Sequence, residues 1–136
     1  MITGSAGNPA DSPLAFHIMM NQHVKQKWIT ALRSGEYMQT CGRLRYEDSY
    51  CCLGVLTDLY DKDIQSENSW NEGDGLGHYC YIADGNITEG ALPPSVMQWA
   101  GLKEENPLVG DYRLAFLNDN EGLDFKQLAD IIEKEL

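Results

Sequence analysis

A chain of 136 residues with 43% hydrophobic and 10% aromatic side chains has the composition of one folded domain with one core, which excludes a disordered polymer. No run approaches the roughly 18 apolar residues of a membrane span and no secretory signal opens the chain, so the expected location is the cytoplasm. A formal charge of −11 speaks against generic binding to DNA or RNA, because that affinity rests on Lys and Arg neutralising phosphates.

Residues 1–19 are rich in Gly, Ala, Ser and Pro and hold no sustained period, so they read as a flexible, expression-derived or mis-started lead-in. Leu14, Phe16 and Ile18 could still pack as an arm, and the domain proper is expected over 20–136. From Asn21 the spacing of Val24, Trp28, Ala31 and Leu32 predicts a helix, with Gly35 where a C-cap glycine belongs. The trio Glu47-Asp48-Ser49 offers N-cap candidates for a second helix, from about Cys51 to Tyr60, that turns Cys52, Val55, Leu56 and Leu59 inward. Gly54 inside it costs roughly 1 kcal/mol of helix propensity relative to Ala and signals a close packing partner.

Asp61 to Gly77 is acidic and glycine-rich and reads as a long surface loop anchored by Trp70. Tyr79 to Ile82 predicts a short strand, and Asp84-Gly85 or Gly85-Asn86 a hairpin turn toward Ile87. A short helix follows Leu92-Pro93-Pro94, packs Val96, Met97, Trp99 and Ala100, and is capped by Gly101. Tyr112 to Leu117 is ambiguous in period and leans to helix, while Asp124 with Gln127 resembles a capping box for a last helix carrying Leu128, Ile131, Ile132 and Leu136. The expected fold class is α+β, a single domain of four or five helices with a small antiparallel sheet or hairpin near residues 43–50 and 78–92.

Several segments together resemble a group of small uncharacterised proteins that recur among tailed-phage and prophage gene products. They are Lys27-Trp28-Ile29-Thr30-Ala31-Leu32-Arg33-Ser34-Gly35-Glu36-Tyr37-Met38-Gln39, Tyr50-Cys51-Cys52-Leu53-Gly54-Val55-Leu56, Leu92-Pro93-Pro94-Ser95-Val96-Met97-Gln98-Trp99-Ala100-Gly101-Leu102 and Leu117-Asn118-Asp119. The resemblance implies a context, an accessory protein at work in the cytoplasm of a bacterial host, and no activity. Within it, Cys52-Leu53-Gly54-Val55 resembles the nucleophile helix of the NlpC/P60 cysteine peptidases, and Gly77 to Gly85 is similar to their histidine strand. That likeness implies a papain-like cysteine hydrolase with Cys52 as nucleophile and His78 as base. A thiol near a helix N-terminus is the kind whose pKa the macrodipole lowers. The packing alternative has Cys52 in the core and His78 on the surface.

Other chemistries are thinner. Cys41, Cys51, Cys52 and Cys80 have no C-x-x-C spacing and read as free thiols of a reducing compartment. No metal-ligand spacing joins His17, His23 and His78 to one another or to the cysteines, and Asn118 to Gly122 departs from the calcium-loop pattern, so neither a metal nor a cofactor is expected. Arg43, Arg45 and Tyr50, in a basic stretch interleaved with aromatics, could hold a phosphate-containing small ligand, or the arginines could pair with carboxylates of the second half. After Tyr46 the chain holds 19 of its carboxylates against five basic side chains. Asp61, Asp63 and Glu67 belong to the densest acidic loop, so the leading expectation is a non-catalytic binding protein or inhibitor that presents an acidic face to a basic host protein.

Overall fold

The computed structural model describes residues 19–64 and 69–136, and expectations for 1–18 and for Glu67 lie outside them. The first described helix, α1 (Gln22–Ser34), starts where the Asn21 side chain accepts the Val24 N–H at 2.9 Å and stops at Gly35, whose φ of 79° suits glycine. Its apolar stripe, Val24, Trp28, Ile29 and Leu32, is buried. Against it lies the last helix, α5 (Phe125–Glu135), with the expected capping box between Asp124 and Gln127 and with Phe125, Leu128, Ala129 and Ile132 turned inward. At the exposed rim of that contact Arg33 meets Asp130 at 2.6 Å and Glu133 at 3.0 Å.

On α1 also packs the most buried helix, α2 (Cys52–Ile64), buried on every side from Cys52 to Asp58. A helix apolar all round is a core helix, and its neighbours show why. Trp28 donates its indole N–H to the Cys52 carbonyl at 2.9 Å, and Leu53, Val55 and Leu56 are fully enclosed. Gly54 faces the chain at Leu44, where a Cβ would sit 1.8 Å from the Leu44 carbonyl oxygen. The sequence cost of that glycine is thus the condition for backbone contact.

The start of α2 departs from expectation. Glu47 and Asp48 are the turn of a hairpin between β2 (Arg45–Tyr46) and β3 (Ser49–Tyr50), with Glu47 at a φ of 50°, and do not cap the helix. Turn-forming and helix-capping residues share the same short polar side chains, so the sequence alone does not separate the two roles. Cys51 Sγ accepts the Gly54 N–H at 3.4 Å, and a second cap comes from far away. Asn118, at 1% exposure, accepts the Cys52 N–H through Oδ1 at 3.3 Å.

Six strands form one small sheet in the order β1 (Met38–Gln39), β3, β2, β5 (His78–Ala83), β4 (Ser69–Asn71), with β6 (Asn86–Thr88) also paired to β5. Most pairs are antiparallel as expected, but β1 runs parallel to β3, so the sheet is mixed. The expected long loop is shorter, because α2 continues to Ile64 and Trp70 lies in β4 opposite Tyr81. The turn between β5 and β6 falls at Asp84-Gly85, both at positive φ, with Ala83 opposite Asn86. Next come α3 (Pro94–Ala100), ended by Gly101 at a φ of 72°, and a hairpin of β7 (Leu108–Val109) and β8 (Tyr112–Arg113). The ambiguous piece is strand first and helix after, since α4 (Leu114–Asp119) begins beyond Arg113. Among the described residues, five helices, a mixed sheet and a two-stranded sheet around one core make the fold α+β.

Candidate functional site

Of the residues that the sequence singles out, the sheet carries Arg45, Tyr50 and His78, while Cys52, Asp61 and Asp63 lie on α2. On the inner face, across β2, β3 and β5, Arg45 pairs in register with Tyr50 and with Tyr79. Its guanidinium lies 3.9 Å from the Tyr79 ring centroid, 5.2 Å from that of Tyr50 and 5.6 Å from that of Trp70. The Arg45 Nε–H donates to the Glu47 carbonyl at 2.7 Å, and Asp48 stands 3.6 Å from a terminal nitrogen. The cation is therefore already held by aromatic faces and oxygen acceptors. Arg43 is half-buried and, among the described residues, makes neither an ion pair nor a side-chain hydrogen bond. Arg45 and Tyr50 lie side by side without an ion pair or hydrogen bond to Arg43, and what fills the aromatic box is the protein's own guanidinium.

Beside that box lies Asp58, the buried carboxylate of α2. It accepts the Tyr37 hydroxyl at 2.6 Å and the Trp70 indole N–H at 3.0 Å, and pairs with Lys62 at 3.1 Å. A buried carboxylate is tolerable when donors surround it, and three do so here. Burial, with the donation to Asp58, pushes the Tyr37 hydroxyl well above the usual phenol range, and burial does the same at Tyr50 with Asp58 as the next cause. Edge-to-face contacts chain Tyr37 to Tyr50, Tyr50 to Trp70 and Trp70 to Tyr81. An acidic side chain at position 58 falls inside the helix expected from Cys51 to Tyr60, yet nothing local marks it as buried. Its spacing from the inward Val55 and Leu59 is the signal that places it on α2.

The expected acidic face is largely turned to internal use. Asp61 accepts the Tyr81 hydroxyl at 2.8 Å, Asp63 pairs with Lys27 at 3.3 Å, and Glu72 accepts the Gly77 N–H. Asp74 holds His78 Nδ1 at 2.6 Å, and the Leu76 N–H followed by His78 keeps the Asp74 carboxyl below its ordinary range. A shallow groove of about 690 Å3 separates the outer sides of α1 and α2. Its walls include His23, Lys27, Thr30, Tyr37, Lys62 and Asp63.

The hydrolase pair occupies two unlike settings. Cys52 is 0% exposed at the start of α2, and burial raises its thiol well above the ordinary value, opposite to what the helix N-terminus would do. Cys51 beside it is pushed up to about 12 by the same burial. His78 lies on the outer face of the sheet against Asp74, with its ring 5.2 Å from that of Tyr46, and no hydrogen bond joins it to Cys52 among the described residues. Alkylation of the native protein at neutral pH is accordingly expected first at exposed Cys41, with Cys51 and Cys52 silent until denaturant is added. Peptide mapping after a short iodoacetamide pulse reads the order, and early labelling of Cys52 would contradict it.

Among the described residues no group of three or more His, Cys, Asp or Glu is placed to hold a metal ion, and no helix is long and apolar enough to cross a membrane. Comparison with curated proteins and with solved structures finds no match. A family model described as a domain of unknown function, DUF8296, matches residues 20–136, and the chain belongs to that family.

Proposed function

We propose that the protein is a non-catalytic binding protein, an accessory protein of phage or prophage type that acts in the bacterial cytoplasm by docking on a basic host protein. The observation that carries the non-catalytic part is the sealed Cys52 thiol, which has no path to solvent and a pKa moved away from reactivity. The formal charge of −11 supports a basic partner, since opposite fields speed encounter and disfavour nucleic acid.

The test is capture from bacterial lysate by the tagged full chain and by Cys52→Ala. Both are expected to retain the same basic protein at low salt and to release it as the Debye length shrinks below about 8 Å. An ester- or peptide-hydrolysing activity that disappears in Cys52→Ala would overturn the reading, as would the absence of any salt-sensitive partner.

A further inference from the structure

The outer face of the sheet exposes large apolar side chains among polar ones and is bordered by carboxylates. Strand alternation puts Tyr81 and Ala83 in the core at 0% and 1% exposure, so His78, Cys80 and Ile82 share the opposite face of β5. Register adds their neighbours. Tyr46 lies opposite His78, Asn71 opposite Cys80, and Ile87 opposite Ile82. Tyr46, Ile82 and Ile87 are 37%, 36% and 67% exposed, Ile82 and Ile87 as a cross-strand pair and Tyr46 opposite His78, four residues along β5 from Ile82. Sheets with one wet face ordinarily turn polar residues to it, and three large apolar ones on β5 and two strands paired to it, β2 and β6, depart from that pattern.

Carboxylates border this face: Glu72 and Asp74 stand between β4 and β5, Asp84 in the β5–β6 turn and Glu89 just beyond β6, and between Lys62 and Lys103 the sequence holds no Lys or Arg. Glu47 adjoins Tyr46 in the β2–β3 turn, and its Cγ would lie 2.8 Å from a Cβ on Gly77. The side chains of Glu47 and Glu89 are exposed and, among the described residues, make no hydrogen bond or ion pair. Asp84 accepts from Ser95, and Asp74 is engaged with His78. Arg45 donates to the Glu47 backbone carbonyl and is held among the inner-face rings, so the exposed apolar side chains beside the Glu47 and Glu89 carboxylates complement one chemistry above others, a segment that carries aliphatic anchors between Lys or Arg side chains.

We infer that the outer face of β2, β5 and β6, centred on Tyr46, Ile82 and Ile87, is the docking surface for a basic, aliphatic-bearing segment of the partner protein. The inference rests on the proposed function and gives it a location. Ile82 and Ile87 form the anchor pair, and Glu47 and Glu89 supply attraction at the rim. Apolar anchors at the centre of an interface dominate its free energy, while rim charges govern its salt dependence and rate of encounter.

The experiment uses the isotope-labelled full chain and two synthetic peptides of equal length and charge, one alternating Lys and Leu, the other Lys and Ser. At low salt the Lys-Leu peptide is expected to shift the amide resonances of β5 and β6. It should bind about tenfold more weakly to the double variant Ile82→Ser, Ile87→Ser. Glu47→Gln with Glu89→Gln should flatten the salt dependence and leave the mapped surface in place. Because all four positions are exposed, unchanged thermal melting of both variants separates lost docking from lost fold.

Equal binding of the two peptides would sink the docking face and leave the basic-partner reading standing. No binding of either peptide at low salt would remove both. Resonance shifts confined to the groove between α1 and α2 would overturn the location. Self-association of the wild-type chain in sedimentation, abolished by Ile87→Ser, would assign the face to a second copy and overturn the basic partner.

Discussion

Gly54→Ala is expected to leave the chain unable to fold stably. An added Cβ would lie 1.8 Å from the Leu44 carbonyl oxygen and 2.8 Å from its carbon, both backbone atoms that no rotamer change can move. Relief requires α2 to slide away from Leu44, yet the Cys51 N–H donates to that same carbonyl at 3.1 Å and the helix is buried on every side there. Overpacking that shifts backbone costs about 3 kcal/mol or more, a large share of the roughly 5–15 kcal/mol that holds a domain of this size together. Gly90→Ala is the control, since a Cβ there meets nothing within 4 Å and its φ is not in the left-handed region. Urea unfolding followed by circular dichroism reads both. A Gly54→Ala protein within about 1 kcal/mol of wild type would show that the contact between Leu44 and α2 is looser than its geometry.

Asn118→Ala should be the second most damaging single change. The amide is buried at the junction of three parts of the chain. Its Oδ1 accepts from Gln39 Nε2 at 2.8 Å and from the Cys52 N–H, and its Nδ2 donates to the Thr40 carbonyl at 2.9 Å and to Asp119 Oδ1 at 2.8 Å. Truncation leaves the Cys52 N–H and the Thr40 carbonyl without these partners, and unsatisfied buried polar groups cost about 1–3 kcal/mol each. A loss of about 3 kcal/mol is expected in chemical denaturation. Asn118→Asp should not rescue it, because the carboxylate keeps the acceptors, loses both donors and faces Asp119. A variant as stable as wild type would mean that Gln39 and Cys52 find other partners.

These two positions show which parts of the molecule could be read from sequence and which could not. Helices α1, α3 and α5 were legible because each carries its own stop or start chemistry, Gly35, Gly101 and the Asp124 box, beside a 3.6-residue stripe. The Asp84-Gly85 turn was legible for the same local reason. The need of Gly54 for a close neighbour could be anticipated, whereas the identity of that neighbour, the Leu44 carbonyl, is tertiary information. Asn118 illustrates the limit more sharply. It stands within a run of turn-forming residues, Asn118 to Gly122, and nothing local distinguishes an amide that caps a helix 66 residues earlier from one that faces water. The outer sheet face was hidden similarly, since Tyr46, Cys80, Ile82 and Ile87 come together through strand pairing, not through spacing along one element. Candidate catalytic residues in a sequence are named by type, while burial decides whether a thiol such as Cys52 can act.

The packing of α1 on α5 has a consequence during synthesis. The first described helix leaves the ribosome long before its partner, and at an elongation rate of about 5–20 residues per second it waits on the order of 5–20 s for α5 to appear. Over that interval the apolar stripe of Trp28, Ile29 and Leu32 lacks its final cover, and α2 lacks the amide that closes its first turn. A nascent chain of this protein is therefore expected to stay open to chaperones and proteases until its last helix emerges, and then to close in one cooperative step.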